Sequence, residues 1–347
     1  MSTEIKESPA YLKTSLAAAM TLGYEPGLFY RNARLYCINL LLTYSDGCAA
    51  RCAYCGLSGE RPGNYDDKSF IRVKWPVFPL EDIIDRVEER KDRVKRFCIS
   101  MVTHARAVEH TLEISKRLLT KLNVPVSVLL APTLIKKNDL EDLKAAGVDK
   151  VGIAIDLATQ ELFDRYRGRG VGGPHRWDVY WKCMTDAVQV FGENNAGPHF
   201  MVGMGETEQE MCEVIQVSRD MGCSTHLFSF YPEPDSPLAD HNPPPMDQYR
   251  RIQLARYLID GKKVTASQFT FNGRNQVIDF GLDKSTLEKI IHAGDAFRTS
   301  GCQGRDGEVA CNRPFGNSRP GPDIRNYPFP PEAEDVERIR AQMGYSK

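Results

Sequence analysis

Tyr44-Ser-Asp-Gly-Cys48-Ala-Ala-Arg-Cys52-Ala-Tyr-Cys55-Gly56 follows directly on the apolar run Ile38 to Thr43. That run reads as part of a buried strand of parallel type over 36–43, so the three cysteines stand on the loop that leaves it. Their C-x-x-x-C-x-x-C spacing packs three soft sulfur donors into eight residues. Such a set suits an iron-sulfur cluster, and three ligands instead of four leave one iron open to an outside group. The alternatives are a structural zinc site, which normally takes four ligands in two pairs, and three cysteines buried by chance.

Outward from this loop, strand and helix patterns alternate. Strands are expected near 95–102, 125–131, 150–156, 198–204, 225–231 and 267–272, and helices near 79–90, 106–122, 137–146, 176–191, 207–221, 245–261 and 284–293. Strands separated by helices pair in parallel through right-handed crossovers, and seven such units closing on each other make an α/β barrel. Ligands of such a barrel sit at the C-terminal ends of its strands, where the cysteine loop begins. Residues 56–76, rich in Gly, Pro and charge, read as an excursion over the barrel mouth. The expected organisation is an N-terminal helical extension over 1–34, with a helix from Leu16 to about Gly23, a barrel over 35–296 and a C-terminal tail over 297–347.

Composition narrows the function classes. Lys and Arg number 45 against 46 Asp and Glu among 347 residues, so the net charge of −1 gives no electrostatic reason to expect nucleic acid or an anionic membrane. Ten cysteines are too sparse for a disulfide scaffold, and a cluster needs free thiolates, which points to a reducing, cytoplasmic setting. The N-terminus carries no signal pattern, and no apolar window has the length to span a bilayer.

The trio, with the aromatic Tyr54 before its last cysteine, resembles the fingerprint of the radical S-adenosylmethionine (SAM) superfamily. The resemblance implies a TIM-like (β/α) barrel, full or nearly full, in which Cys48, Cys52 and Cys55 hold a 4Fe-4S cluster. The amino and carboxylate groups of SAM chelate its fourth iron, and an electron from a donor such as ferredoxin or flavodoxin cleaves the sulfonium to a 5′-deoxyadenosyl radical. It also assigns cofactor-binding roles to Tyr54, Asp156, Gly203, Gly205 and Glu206. On the residues alone, Tyr54 also suits core packing, Asp156 also suits a cap for the helix starting at Thr159-Gln-Glu161, and Gly203-Met-Gly-Glu206 also suits a plain strand-to-helix turn. Arg165 and Arg167 suit an approach to the cofactor's carboxylate, but most arginines of this kind are surface residues, and neither is counted among the site residues.

Within the superfamily, residues 35–295 are similar to the sulfur-inserting branch, biotin synthase and lipoyl synthase, through Val94-Lys-Arg-Phe-Cys98, the Asp156 strand, Gly203 to Glu206, Ser236 to Asp240 and Asn272-Gly-Arg274. Of the four ligands that hold the second, two-iron cluster of biotin synthase, only Cys98 and Arg274 have counterparts, which argues against a cluster built that way. The tail offers Cys302 and Cys311 instead, as ligands of an auxiliary cluster, with Cys37, Ser300 or Ser318 as candidates to complete the set. Two cysteines that staple the tail or bind zinc are the alternative. This arrangement is most similar to a subunit of the split lipoyl synthases, and it implies sulfur insertion into an octanoyl chain on a carrier protein domain, with a second radical SAM synthase as a further partner. Biotin synthase-like or other radical SAM chemistry is the near alternative, and a non-catalytic iron-sulfur carrier or metal-binding protein is the alternative of another class. Cys183, Cys212 and Cys223 read as core.

Overall fold

A computed structural model describes residues 5–63, 68–71, 73–313, 321 and 323–344. Its centre is a run of parallel strands: β2 (Cys37–Leu41), β4 (Arg96–Ser100), β5 (Val126–Leu130), β6 (Lys150–Asp156), β7 (Ala196–Val202) and β8 (His226–Ser229). Two short strands, β1 (Tyr11–Thr14) and β3 (Val77–Pro79), add to the β2 edge in antiparallel sense, giving the order β3-β1-β2-β4-β5-β6-β7-β8. The connecting helices are α2 (Leu80–Glu89), α3 (Ala107–Lys121), α4 (Lys137–Ala145), α5 (Gln160–Tyr166), α6 (Trp177–Phe191) and α7 (Glu208–Asp220), followed by α8 (Met246–Asp260). Each forms for a legible reason. In α3 the buried residues Ala107, His110, Thr111, Ile114, Ser115 and Leu118 recur at helical spacing, and α7 opens on a reciprocal capping box between Thr207 and Glu210. β4 is buried at every residue, as expected of a strand covered on both faces.

The sheet is a partial barrel. Among the described residues no ladder joins β8 to β3, and the expected strand near 267–272 does not enter the sheet. It is instead β9 (Thr270–Phe271), paired antiparallel with β10 (Val277–Asp279) in a separate ribbon. The reason is the Asn272-Gly-Arg-Asn275 turn, where Asn275 takes a φ of 57° and the Asn272 N–H donates to the Gln276 carbonyl, so the chain folds back at once. The N-terminal segment likewise contributes a strand, β1, ahead of the expected helix, α1 (Leu16–Thr21).

After α9 (Lys284–Ala293) the tail passes along the free edge of β8, where the Leu227 N–H donates to Ser300 Oγ at 2.9 Å. It is pinned to α8 by the buried Arg250, which donates to the carbonyls of Ile324 and Arg325 at 2.7 Å each. The chain then ends in α10 (Ala333–Gln342), packed on α8 and α9. Among the described residues no helix is long and apolar enough to cross a membrane.

Candidate active site

The cysteine loop is tied down at both ends of its course. The Ala49 N–H donates to the Thr103 carbonyl beyond β4, and the Ala53 N–H to the Tyr166 carbonyl at the end of α5, each at 2.8 Å. Cys48, Cys52 and Cys55 all line one cavity at the C-terminal end of the strands. The Thr103 N–H points at Cys48 Sγ and the Leu57 N–H at Cys55 Sγ, both at 3.4 Å. Burial, partly offset by Arg167, pushes the Cys52 thiol up to about 11, so iron must displace its proton on binding. Three free sulfurs facing one open space, two of them with backbone donors, fit a cluster with one iron left for another ligand.

Across the cavity lies a buried polar network. Tyr54 donates its hydroxyl to Asp156 Oδ2 at 2.6 Å, and Arg167 pairs with the same carboxylate oxygen, reaches Tyr54 Oη at 3.1 Å and donates to Tyr180 Oη at 3.0 Å. His175 Nδ1 stands 3.0 Å from Tyr180 Oη and 2.7 Å from Thr133 Oγ1. Burial, reinforced by Arg167, pushes His175 down to about 2, so it stays neutral. Asp156 takes a φ of 68°, which aims its carboxylate at the mouth, and the helix that follows is capped by Thr159 instead, whose Oγ1 accepts the Leu162 N–H at 3.3 Å. The capping alternative for Asp156 is thereby removed, and Arg167, expected at the surface, is a buried member of the site.

Gly203, Gly205 and Glu206 are built differently. Gly203 and Gly205 have φ of 101° and 110°, and a Cβ on Gly203 would lie 2.5 Å from Pro244. The Glu206 carboxylate accepts the N–H groups of Gly203 and Met204 at 2.7 and 2.8 Å. It is buried in the turn after β7 and does not line the cavity shared by the cysteine trio, Tyr54 and Asp156.

A second sulfur set lies at the opposite end of the strands. Cys37 begins β2, and the β2–β4 register places Asn39 beside Cys98. The tail folds into a hairpin in which the N–H groups of Ala310 and Cys311 donate to the Cys302 carbonyl at 3.0 and 3.1 Å, bringing its two cysteines together. Cys37, Cys98 and Cys311 form one cluster, with Cys302 packed against it. Asn39 Nδ2 lies 3.6 Å from Cys37 Sγ and 3.7 Å from Cys311 Sγ, Arg313 Nε lies 3.4 Å from Cys311 Sγ, and His226 Nε2 lies 3.9 Å from Cys302 Sγ. A hydrogen bond from Cys37 and the guanidinium of Arg313 hold the Cys311 thiol well below its usual range. Four free sulfurs with cationic and amide donors around them suit an iron-sulfur cluster.

Of the residues named as candidates to complete this set, Cys37 is in place, and Cys98 joins it. Ser300 uses its hydroxyl and carbonyl on Leu227 and His226, and Ser318 lies outside the described residues. Arg274 stands on the exposed turn between β9 and β10, so it is no counterpart of a cluster ligand; the arginine beside the cysteines is Arg313. Cys183, Cys212 and Cys223 are buried in the core.

A partial barrel with a cysteine trio at the C-terminal ends of its strands is the arrangement of a radical enzyme built on SAM. The family model described as the radical SAM superfamily matches residues 42–217, and the chain belongs to that superfamily, with a 4Fe-4S cluster and SAM as its cofactors. It is 23% identical over 231 residues to a biotin synthase of Sulfurihydrogenibium sp. (strain YO3AOP1), covering 66% of this chain and 65% of that protein. It is 20% identical over 204 residues to a biotin synthase of Persephonella marina (strain DSM 14350 / EX-H1), covering 58% and 56%. The chain thus spans less than two thirds of either relative. Among solved structures, methylornithine synthase shares the fold with a TM-score of 0.50 at 14% identity, over 71% of this chain and 67% of that one.

Proposed function

We propose that this radical SAM enzyme inserts sulfur at unactivated C–H positions of an octanoyl chain carried on a small protein domain, as lipoyl synthases do, with Cys37, Cys98, Cys302 and Cys311 holding an auxiliary cluster as the sulfur source. The observation that carries the reading is the continuity between the two sulfur sets: Arg313 lines the cavity of Cys48, Cys52 and Cys55, and its Nε also stands 3.4 Å from Cys311 Sγ.

When bound, SAM and the first cluster supply hydrogen-atom abstraction, and the second cluster supplies sulfur. The protein's own residues hold and orient. Asp156, fixed by Tyr54 and Arg167, offers a carboxylate to a ribose hydroxyl, while Gly203, Gly205 and Glu206 shape the backbone beside the mouth. Phe70, Trp75 and Val73 wall an adjoining apolar space that also touches Asn39 and Arg313, which suits a saturated chain. An electron donor of the ferredoxin or flavodoxin kind and a second radical SAM synthase are partners of the same reading. Similarity to the two biotin synthases favours a biotin synthase-like sulfur insertion as the second reading.

The test is mass spectrometry of an octanoylated carrier after anaerobic turnover, with the partner synthase added where needed. Cys302→Ala and Cys311→Ala are expected to keep forming 5′-deoxyadenosine while products with new C–S bonds disappear. Undiminished sulfur insertion by the Cys302 variant refutes the reading.

A further inference from the structure

The quartet has a second approach, from the far end of the barrel. A groove of about 550 Å³ runs along the N-terminal ends of β6, β7 and β8, bounded by Lys150, Ala196, Ser224 and His226 on one side and by the tail hairpin on the other. Among the described residues Cys302 is the quartet member on its wall; Cys37, Cys98 and Cys311 are 0%, 7% and 5% exposed and line neither this groove nor the mouth cavity. The outer wall is thin: Gln303, Gly307 and Glu308 are exposed, and a Cβ on Gly307 would meet nothing within 4 Å. At the inner wall the contact is close, since a Cβ on Gly301 would lie 1.9 Å from the Cys311 carbonyl oxygen. At the groove edge the Lys150 ammonium is held by neutral acceptors, the Asn194 carbonyl and Asn195 Oδ1, both at 3.0 Å, so its charge is available to an anion.

We propose that this groove is the port through which iron and sulfide reach the quartet on small thiolate ligands, so that the two sulfur sites are loaded from opposite ends of the barrel. The proposal rests on the reading that the quartet holds a cluster. The step is ligand exchange: an iron–sulfur bond to a small thiolate breaks, one to a cysteine forms, and the cysteine S–H proton leaves with the departing thiolate. No electron moves. Cys302, at the groove, exchanges first, and the three buried cysteines follow.

The experiment uses the full chain with Cys48, Cys52 and Cys55 changed to Ala, leaving the quartet as the cluster site, and a preformed four-iron, four-sulfide cluster carried on mercaptoethanol as the probe. Transfer is followed anaerobically by the cluster's visible absorption. Ser224→Trp and Glu308→Trp narrow the groove from its two walls without touching the sulfurs. Each is expected to slow transfer about tenfold and leave the final iron content unchanged. In a chain lacking Cys302 and Cys311, Ser224→Trp is expected to leave loading of the trio at its original rate. In the metal-free chain, N-ethylmaleimide should label Cys302 before Cys37, Cys98 and Cys311, and the tryptophans should suppress that labelling. Parent-rate transfer in both narrowed variants, or labelling of the buried cysteines first, overturns the port. If the open-grooved chain takes up no cluster while Cys302 still labels first, it is the reading of the quartet that fails, and the port falls with it.

Discussion

Asp156→Asn is expected to weaken SAM binding and destabilise the fold together, and the two effects can be sized separately. Asn has nearly the same volume and, like Asp, tolerates the positive φ of this position, so the backbone is left as it was. What is lost is the charge facing Arg167, whose side chain is 8% exposed against 22% for Asp156. Breaking a fully buried ion pair costs about 3–5 kcal/mol, and the partial opening of Asp156 to the cavity puts this pair at the lower end, about 3 kcal/mol. Arg167 keeps the Tyr180 hydroxyl and the Ala154 carbonyl, which limits the loss further. A hydrogen bond from a ribose hydroxyl to a charged acceptor contributes about 1.5–3 kcal/mol, so SAM affinity should fall about tenfold to a hundredfold. Urea unfolding under anaerobic conditions measures the first effect and equilibrium dialysis with labelled SAM the second. A variant that loses stability but binds SAM as the parent does refutes the cofactor role and leaves Asp156 as the anchor of Arg167. Unchanged stability refutes the buried pair.

Changing Cys48, Cys52 or Cys55 to Ala should abolish 5′-deoxyadenosine formation while circular dichroism stays that of the parent, because the core lies in the strands and helices; cleavage retained in all three excludes the trio. Gly301→Ala forces apart the backbone of the tail hairpin and should lower iron bound at the quartet with SAM cleavage intact, a result read by iron analysis beside product chromatography. Burial raises Glu206 from 4.5 to about 7 despite its backbone donors, so its contribution to stability is fully present below pH 4.5 and is lost as pH rises toward 7. The loss amounts to about 3 kcal/mol, and urea midpoints between pH 4 and 8 should show that slope in the parent and a flatter one in Glu206→Gln.

Much of the barrel was legible because its signals are local. The helices over 107–121, 177–191 and 246–260 carry their own apolar period, and each expected boundary falls within one residue of the structure. β1 and β3 were missed because strands of 4 and 3 residues carry too little alternation to stand out. The strand at 270–271 was overread: its apolar, β-branched run is real, but the Asn-Gly turn after it decides where the chain goes. At the site, the trio could be read because its ligands are adjacent in sequence. The quartet could be read only in part, since Cys37 and Cys98 meet the tail cysteines through sheet register and through the path of the tail, and neither leaves a mark in spacing. Arg167 was misjudged for a related reason. It stands where α5 has ended, and the turn through Gly168 carries it inward to Asp156, a direction that charge alone argues against. The local hint was its position, with Tyr166 and Gly168 on either side, at the close of a helix that follows the Asp156 strand.

The open side of the sheet bears on how the second site works. A closed barrel would seal its N-terminal end with side chains from its own strands; here the tail does so, and the same tail brings Cys302 and Cys311. It is held by Arg250 of α8 and, through its own Ser300, by the Leu227 N–H of β8, contacts that do not involve the sulfurs. Within the hairpin, Gln303 to Glu308 are largely exposed and are tied to the barrel by Lys95 to Asp306 and by Arg96 to the Gln303 carbonyl, while Cys302 and Cys311 pack on Cys37 and Cys98. On the proposed reading, cluster binding at the quartet adds to the stability of the ordered hairpin, since a ligand that binds only the ordered form stabilises it by mass action. Loss of the cluster's sulfur in turnover would then loosen the segment that borders the loading groove, which couples consumption of the sulfur source to access for its replacement.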